Sequence, residues 1–406
     1  MGKRHIAKPS QKQAMNGQQA LERSALAARA WLMDKALPFW AEHAVNDIGG
    51  FCEELSRQSK PNWRAIRRVR VQARQIYTYC LAQERGWHDG LPIANQTLNF
   101  MLAKGFMPDG FPGFISLLNP DYSVNDPRRD LYDHAFYLLA LAWHSRVSGQ
   151  RTSLALADGL LCFLDTNLQT ANGGFLEGLP EGDPRNALRR QNPHMHLFEA
   201  FMALYDVHGE KKYLHRADDI FALFQQHFFD ADTRTVTEYF HYDWRPAHGK
   251  KGQSVEPGHM AEWVWLLGQY QARSGVDTRP WAERIYHKLC AYDTLLLPDE
   301  MDKAGKTLRA TRRLWVQTEM VKAHLAQAEI GEADSFKLAA VGIDSIMDKY
   351  LRPDGTWIDV LGENDLPVIG AVPTSTFYHI SCMIAEACRV AGIADIEDKK
   401  MKASGG

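Results

Sequence analysis

The chain has 406 residues, 45% of them hydrophobic and 24% charged, a composition typical of a folded globular protein. Its 47 Lys and Arg residues nearly balance its 49 Asp and Glu residues, so no basic field indicates binding to nucleic acid or an anionic membrane. The longest apolar run, residues 135–143, covers about half of the roughly 20 residues that a membrane span requires.

The N-terminal segment is polar and basic and precedes the first helical pattern. We expect residues 1–17 to form a disordered tail, because they contain no apolar stretch typical of a secretory signal. The six cysteines lie far apart and form no Cys-x-x-Cys pair, so neither a disulfide framework nor a zinc site is indicated. Together these features favour a cytoplasmic protein.

Helical periodicity, with apolar residues three or four positions apart, runs through the rest of the chain. It predicts twelve helices, over residues 18–44, 63–85, 91–105, 130–148, 151–168, 191–208, 212–227, 256–274, 278–293, 312–329, 333–349 and 374–392. Brief alternation of β-branched residues beside turns, as at 235–239, predicts short hairpins only. We assign residues 18–395 to a single domain and residues 396–406 to a C-terminal tail.

Glycine-rich turns recur between these helices about every sixty residues. The clearest are Gly49-Gly50-Phe51, Asp109-Gly110-Phe111, Gly173-Gly174-Phe175 and Asp354-Gly355-Thr356-Trp357. Weaker turns at 232–235 and 302–305 bring the number to six. Six turns among twelve helices predict an internal repeat of six helical hairpins.

Every second helix begins with polar residues that are unusual in an apolar helix, whereas the partner helices carry nothing comparable. These residues are Arg74 in helix 2, Asp133 and His134 in helix 4, Asn192, His194, His196 and Glu199 in helix 6, His259 and Glu262 in helix 8, Trp315 and Glu319 in helix 10, and Tyr378 and His379 in helix 12. If the six hairpins close into a ring, the N-terminal ends of these helices meet at one end of the barrel, its mouth. The pattern therefore predicts an (α/α)6 barrel with a central pocket and short β-hairpins in the loops at the mouth.

Two histidine–glutamate pairs at matching repeat positions favour acid–base chemistry. His259 and Glu262 are three residues apart, as are His196 and Glu199, so each pair shares a helix face. A carboxylate beside an imidazole holds its tautomer and raises its basicity, which suits a general base near neutral pH. A satisfied structural histidine is the alternative for each pair.

Other residues of the clusters favour a sugar ligand. Trp315 and Glu319 share a face, and an indole can stack on the C–H face of a sugar while a carboxylate accepts hydroxyl hydrogen bonds. Core packing is the alternative for Trp315. Arg74 lies in an apolar stretch, and a buried guanidinium needs a carboxylate or a ligand oxygen. The arginines of residues 64–70 are expected to form a solvated helix start.

Neither a metal nor a cofactor is predicted. His194 and His196 are two residues apart and point roughly 200° away from each other on a helix, which places His194 at the rim. His259 and Glu262 lack the four-residue histidine spacing of the His-Glu-x-x-His zinc motif. No glycine-rich phosphate cradle or dinucleotide fingerprint occurs, so chemistry without a cofactor is the natural interpretation.

The same residues resemble the N-acylglucosamine 2-epimerase superfamily, which includes cellobiose 2-epimerases, mannose isomerases and sulfoquinovose isomerases. The resemblance rests on Val71-Gln72-Ala73-Arg74, Asn192-x-x-x-His196-x-x-Glu199-Ala200, Pro257-Gly258-His259-x-x-Glu262-Trp263, Trp315-x-x-x-Glu319 and Tyr378-His379. It implies an (α/α)6 barrel and metal-free isomerisation or epimerisation of aldoses.

The resemblance also implies roles for individual residues. His259 and His379 would be the acid–base pair, and Arg74 would stabilise an oxyanion. His196 would be a further catalytic residue and, with Glu199, would handle hydroxyls or ring opening. Together with Glu199, we expect Glu262, Trp315, Glu319, Asn192 and His134 to form the sugar-binding site.

Within this superfamily the sequence is most similar to the mannose isomerase branch. Met260 stands where cellobiose epimerases tend to have Asp, and Leu314 precedes a single tryptophan where they tend to have two. We therefore expect an enzyme that interconverts D-mannose and D-fructose through a cis-enediolate, with related aldoses such as D-lyxose as further substrates. We expect the enzyme to be a monomer or a homodimer.

Several alternatives stay open. A 2-epimerase of mannose and glucose, or of cellobiose-type disaccharides, would use the same residues. A sulfoquinovose isomerase or a phosphosugar enzyme would need a cationic pocket, for which the candidates are Arg129, Arg185, Arg189 and Arg190. A glycoside hydrolase would use a carboxylate pair such as Asp133 and Glu262. A helical scaffold for protein binding would not need the polar clusters.

Overall fold

The computed structural model describes residues 11–396 except 293, 333 and 369. Its helices are α1 (Gln11–Trp31, continued by a π-helical turn at Leu32–Ala36 and by Leu37–His43), α2 (Val69–Glu84), α3 (Leu91–Gly105), α4 (Leu131–Ser148), α5 (Arg151–Asn167), α6 (Gln191–His208), α7 (Lys211–Leu223, with a π-helical turn at Phe224–Phe228), α8 (Pro257–Ser274), α9 (Arg279–Cys290), α10 (Leu314–Glu329), α11 (Ser335–Lys349) and α12 (Phe377–Val390). A one-turn helix, Lys250–Gln253, precedes α8.

These helices form the predicted (α/α)6 barrel. The even-numbered helices pack side by side in an inner ring, which closes where α12 contacts α2, and each odd-numbered helix packs outside. Inner helices are apolar around most of their circumference because they are covered on both sides: in α4, every residue from Leu131 to Ala142 except Tyr132 is buried. Outer helices such as α7 are amphipathic and expose their polar face.

The connections at the two ends of the barrel differ in length. All six predicted turns lie in the long connections from an outer helix to the next inner helix, so they gather at the end where the inner helices begin. At the other end, the connection from α4 to α5 is only two residues long. No helix of the described residues is long and apolar enough to cross a membrane.

Within the described part of the chain, fourteen short strands form small antiparallel sheets around this mouth, as predicted. They are β1 (Glu54–Leu55), β2 (Arg67–Arg68), β3 (Leu117–Leu118), β4 (Val124–Asp126), β5 (Arg189–Arg190), β6 (Phe229–Asp230), β7 (Thr235–Val236), β8 (Tyr239–Phe240), β9 (Ser254–Val255), β10 (Glu300–Asp302), β11 (Thr307–Arg309), β12 (Arg312–Arg313), β13 (Val360–Leu361) and β14 (Val372–Pro373). The β14–β1 pair, with Glu54 opposite Pro373, joins the last repeat to the first.

Two predicted boundaries are wrong. The first helix begins at Gln11, inside the predicted tail of residues 1–17, because the chain already packs against α11 at Gly17, which is buried beside Phe336. Residues 1–10, like the C-terminal tail beyond Ile396, lie outside the described residues. The second helix begins at Val69 and not at residue 63, because Arg67–Arg68 pair with β3 instead of continuing the helix.

Candidate active site

A polar cavity of about 380 Å³ opens at the mouth of the barrel. All six inner helices contribute side chains to it: Arg74 from α2, Tyr132 from α4, Asn192 and His196 from α6, His259 and Glu262 from α8, Trp315 from α10, and His379 from α12. The structure thus brings together polar residues that are up to 305 positions apart in the sequence, from Arg74 to His379.

His259 forms a charged pair with a carboxylate from a loop. Its Nδ1 lies 3.0 Å from Oε2 of Glu238 and 4.0 Å from a carboxylate oxygen of Glu256. Burial alone would lower the pKa of His259, but the two carboxylates outweigh burial and raise this pKa to about 9. At neutral pH His259 is therefore an imidazolium whose Nε2 can donate a proton.

His379 is also paired with a carboxylate but has the opposite protonation state. Its Nδ1 lies 2.8 Å from Oε1 of Glu319. Burial lowers the pKa of His379 well below its ordinary value, and the positive charges of Arg74 and Lys322 act in the same direction. With Glu319 as acceptor, Nδ1 carries the proton of the neutral ring, and Nε2 keeps a lone pair that can accept a proton.

The indole of Trp315 lies between the two histidines. Its ring centre is 5.3 Å from that of His259 and 5.5 Å from that of His379. Gly258 allows this approach, because a Cβ atom there would lie 2.5 Å from the indole. A flat apolar surface flanked by an acid and a base is thereby formed on one side of the cavity.

Arg74 is buried without a carboxylate partner among the described residues. Its guanidinium donates to the carbonyl oxygen of Ser375 at 3.2 Å and to the hydroxyl of Tyr132 at 2.6 Å, and it lies 4.1 Å from the ring centre of Phe136. A buried cation that is satisfied only by neutral groups keeps its charge available for an anion. Arg74 is thus suited to stabilise negative charge that develops on a ligand in the cavity.

Glu262 and His196 lie together deeper in the cavity. Neither carboxyl oxygen of Glu262 has a hydrogen-bond partner among the described residues, and the side chain is fully buried. Burial, and then the charges of Glu319 and Glu199, raise the pKa of Glu262 well above its ordinary range, which favours the protonated acid, the form that can donate to a hydroxyl. His196 lies 3.9 Å from Glu262, and burial lowers its pKa to about 4.

Glu199 and Glu319, expected to contact the sugar, do not line this cavity. Glu199 accepts a hydrogen bond from the Tyr378 hydroxyl at 2.6 Å, and Glu319 supports His379 from behind. Both glutamates lie deeper in the barrel than the cavity. Glu199 follows the cavity residue His196, and Glu319 follows Trp315, by about one helical turn, which is about 5.4 Å. Asn192 does line the cavity, and its buried Oδ1 has no partner among the described residues.

His134, also expected to contact the sugar, has a structural role instead. Its Nε2 accepts a hydrogen bond from the backbone N–H of Phe114 at 3.2 Å, and its Nδ1 donates to the carbonyl of Asp130 at 2.7 Å. His194 repeats this arrangement one hairpin later, with Phe175 as the donor at 3.0 Å. Burial lowers the pKa of His134 to about 4, which keeps the ring neutral in this role.

The arginines near the cavity differ from those expected. Of the four candidates for an anion pocket, none lines the cavity: Arg129, Arg185 and Arg190 pair with Asp109, Asp183 and Glu177, and Arg189 donates to backbone carbonyls. Arg68, Arg70 and Arg313 line it instead. Each of these three is paired with a carboxylate, as Arg70 is with Asp133 at 2.5 Å.

Two charged side chains that contact residues of the site were missed, because only the folded chain brings them there. Glu238 lies between β7 and β8, where the sequence indicates no more than a hairpin. Lys322 lies on α10 in a run of helix-forming residues, and its Nζ is 2.6 Å from Oε2 of Glu319. Its single signal in the sequence is the three-residue spacing from Glu319, which is common on solvated helices.

Three sets of side chains bring possible metal ligands within 4.8 Å of one another: His196, Glu199 and Glu262; Glu262, Glu319 and His379; and Glu238, Glu256 and His259. The Lys322 ammonium contacts one of these carboxylates directly, so it already supplies positive charge where a cation would bind. Chemistry without a metal or a cofactor therefore stays our prediction, and this lysine is the observation that favours it.

Comparison with known proteins places the chain among the sugar isomerases and epimerases. A model of the N-acylglucosamine 2-epimerase (GlcNAc 2-epimerase) family matches residues 49–383. The chain belongs to this family.

Individual relatives agree with this assignment. The chain is 34% identical over 376 residues to a mannose-6-phosphate isomerase of Rhizobium meliloti (strain 1021), covering 88% of this chain and 94% of that protein. Among solved structures, cellobiose 2-epimerase from Spirochaeta thermophila DSM 6192 superimposes with a TM-score of 0.81 at 23% identity, covering 92% of this chain and 98% of that one. A D-mannose isomerase superimposes with a TM-score of 0.76 at 19% identity, covering 94% and 100%. The two structures support the fold alone.

Proposed function

We propose that this enzyme is an aldose–ketose isomerase that interconverts D-mannose and D-fructose and accepts related aldoses such as D-lyxose. The observation that carries the proposal is that His259 and His379 face one indole in opposite protonation states. A proton shift between neighbouring carbons needs a neutral base and a charged acid at the same time.

The positions of these groups support the following proposed reaction. Ring opening exposes the C1 carbonyl, and Nε2 of His379 then removes the proton from C2 while His259 protonates O1. The negative charge of the cis-enediolate that develops as the C2 proton leaves would lie beside Arg74, whose guanidinium stabilises it, and proton transfer from His259 to O1 completes the neutral enediol. His379 returns its proton to C1, and His259 recovers a proton from O2, which completes the ketose and restores both histidines.

The deeper residues would hold and open the sugar. Protonated Glu262 can donate to the ring oxygen or to a hydroxyl, and the neutral ring of His196 lies next to it. The unpartnered Oδ1 of Asn192 can accept a hydrogen bond from another hydroxyl. Trp315 would stack on the C–H face of the sugar and hold the reacting carbons between the two histidines.

A phosphorylated hexose is the second candidate substrate. It is favoured by the name of the Rhizobium meliloti relative and by the three arginines at the cavity wall, Arg68, Arg70 and Arg313. Each arginine already has a carboxylate partner, which leaves little free positive charge for a phosphate dianion. A neutral hexose is therefore our first choice.

The test is to incubate the enzyme with D-mannose in D2O, with chelator present, and to follow the products by proton NMR. Fructose with deuterium at C1 is the expected result. Glucose appearing before fructose would replace the isomerase with a 2-epimerase. Conversion of mannose 6-phosphate at a much higher kcat/KM than mannose would establish the phosphosugar. A His215→Gln variant, which changes an exposed histidine of α7, is the control for effects of substituting a histidine outside the cavity.

A further inference from the structure

Lys322 is a fully buried cation beneath the cavity. Its Nζ lies 2.6 Å from Glu319, 3.8 Å from Sγ of Cys382 and 3.8 Å from the ring centre of Trp265. An unpaired ammonium would not be tolerated in such a place, so the lysine and its carboxylate partner form one unit. The reaction described above makes no use of this group.

The two histidine–carboxylate pairs of the site differ in what else holds the carboxylate. Glu238, the partner of His259, accepts a hydrogen bond at 2.9 Å from the neutral amide of Gln191. Glu319, the partner of His379, instead contacts the ammonium of Lys322. The negative charge of Glu238 therefore acts on its histidine undivided, whereas that of Glu319 is shared with a cation.

We propose that Lys322 is a positioning residue that, through Glu319, keeps His379 as the uncharged base of the reaction and so divides the two histidines into base and acid. This inference rests on the proposed isomerase reaction. It also helps to explain how two similar pairs on neighbouring parts of one barrel can have opposite roles, since the second partner of the carboxylate acts together with burial and the other nearby charges on the charge of the ring.

Other charged groups surround both residues and belong to the argument. The groups that face His379 are Arg74 from α2, His196 and Glu199 from α6, Glu262 from α8, Glu319 and Lys322 from α10, and Tyr378 from its own helix. Those that face Lys322 are Glu199, Glu262, Glu319, Cys382 and Glu386. Of the two cations near His379, Arg74 is available to the ligand, and Lys322 is held by Glu319.

The test is a Lys322→Met variant, in which a side chain of similar length lacks the charge. The pKa of His379 is measured by NMR titration of the ring in protein without substrate, and the pH profile of kcat/KM is measured separately. Removal of the positive charge makes the imidazolium more favourable, so the pKa of His379 should rise by at least about one pH unit. The acidic limb of kcat/KM should move up equally, with activity recovering at high pH.

The matched control is Gln327→Met, which replaces another buried polar residue of α10 and should leave both profiles unchanged. An unchanged pKa of His379 in folded Lys322→Met would overturn the inference, as would a loss of activity that is equal at every pH. If this variant does not fold, the same NMR titration of the wild-type protein provides the test, because a His379 that is protonated at neutral pH would also refute the inference. The NMR titration needs no turnover, so its outcome is independent of whether mannose is the substrate.

Discussion

Replacement of Glu238 by glutamine should convert the acid of the proposed reaction into a neutral ring near neutral pH. The variant keeps the shape of the side chain and one acceptor oxygen but loses the charge 3.0 Å from Nδ1 of His259. In the wild-type protein the pKa of His259 is about 9, against an ordinary value of 6.5, and this difference corresponds to about 3 kcal/mol. Glu256 remains 4.0 Å away, so part of the effect should persist.

We therefore expect the pKa of His259 to fall by at least about one pH unit in Glu238→Gln. The acid works in its protonated form, so activity declines as the pH rises through this pKa. The basic limb of kcat/KM for fructose formation should lie near pH 9 in the wild type and at least about one unit lower in the variant, with little change at pH 6. The measurement is kcat/KM between pH 6 and 10.

A Glu54→Gln variant is the appropriate control, because Glu54 accepts a hydrogen bond from Asn62 at the same mouth but has no contact with either histidine. A basic limb that stays near pH 9 in Glu238→Gln would refute the assignment of His259 as the acid. A uniform loss at every pH would show that Glu238 only supports the loop between β7 and β8.

Four further outcomes are expected. His259→Ala and His379→Ala should each lower kcat at least about a hundredfold with an unchanged circular dichroism spectrum, and near-normal turnover would remove that residue from the mechanism. Arg74→Lys keeps the positive charge but loses the planar guanidinium group and its paired donors, so kcat should fall about a hundredfold with little change in KM. Gly258→Ala should raise KM, because the added methyl group would displace the indole. His134, with a pKa of about 4, is neutral in the folded state but charged in the unfolded state below about pH 6.5, so stability is lost as the pH falls from 6.5 toward 4. Urea titrations of a His134→Gln variant at pH 7 and pH 5 should show about 2 kcal/mol less of this acid destabilisation than the wild type.

The fold could be predicted from the sequence because each repeat carries the same two local signals. A short turn lies in the long connection between two apolar periodic segments, and the inner segment of each pair begins with polar residues. Boundaries were less accurate where a neighbouring strand competes with the helix, as at Arg67–Arg68, whose pairing with β3 delays the start of α2. Such pairing joins residues about fifty positions apart and leaves no local trace.

The site could be predicted only in part, for a physical reason. The residues that face the cavity lie at helix starts, which periodicity locates, but the charge of each depends on partners that come from elsewhere. Helical spacing suggested Glu262 as the partner of His259, whereas the closest carboxylate is Glu238, 21 residues away in a loop. No pattern in one sequence states which carboxylate the fold brings to which ring.

The polar residues at the inner helix starts also serve two different purposes, which their position separates. The fourth residue of a helix holds the backbone of the preceding turn: Gln72 binds both the N–H and the carbonyl of Phe51, Gln317 does so at Leu297, and His134 and His194 accept from Phe114 and Phe175. The sixth residue lies about 200° further around the helix and turns to the barrel axis, as Arg74, His196, Glu262 and Glu319 do. A polar residue at the fourth position is thus explained by the need of the turn for hydrogen-bond partners, whereas the sixth residue and the third, such as His259 and His379, face the barrel axis and the cavity. The fourth and sixth positions are only two residues apart, and a sequence usually locates the start of a helix to within about two residues. An error of that size is enough to mistake His134 for a residue that binds the sugar.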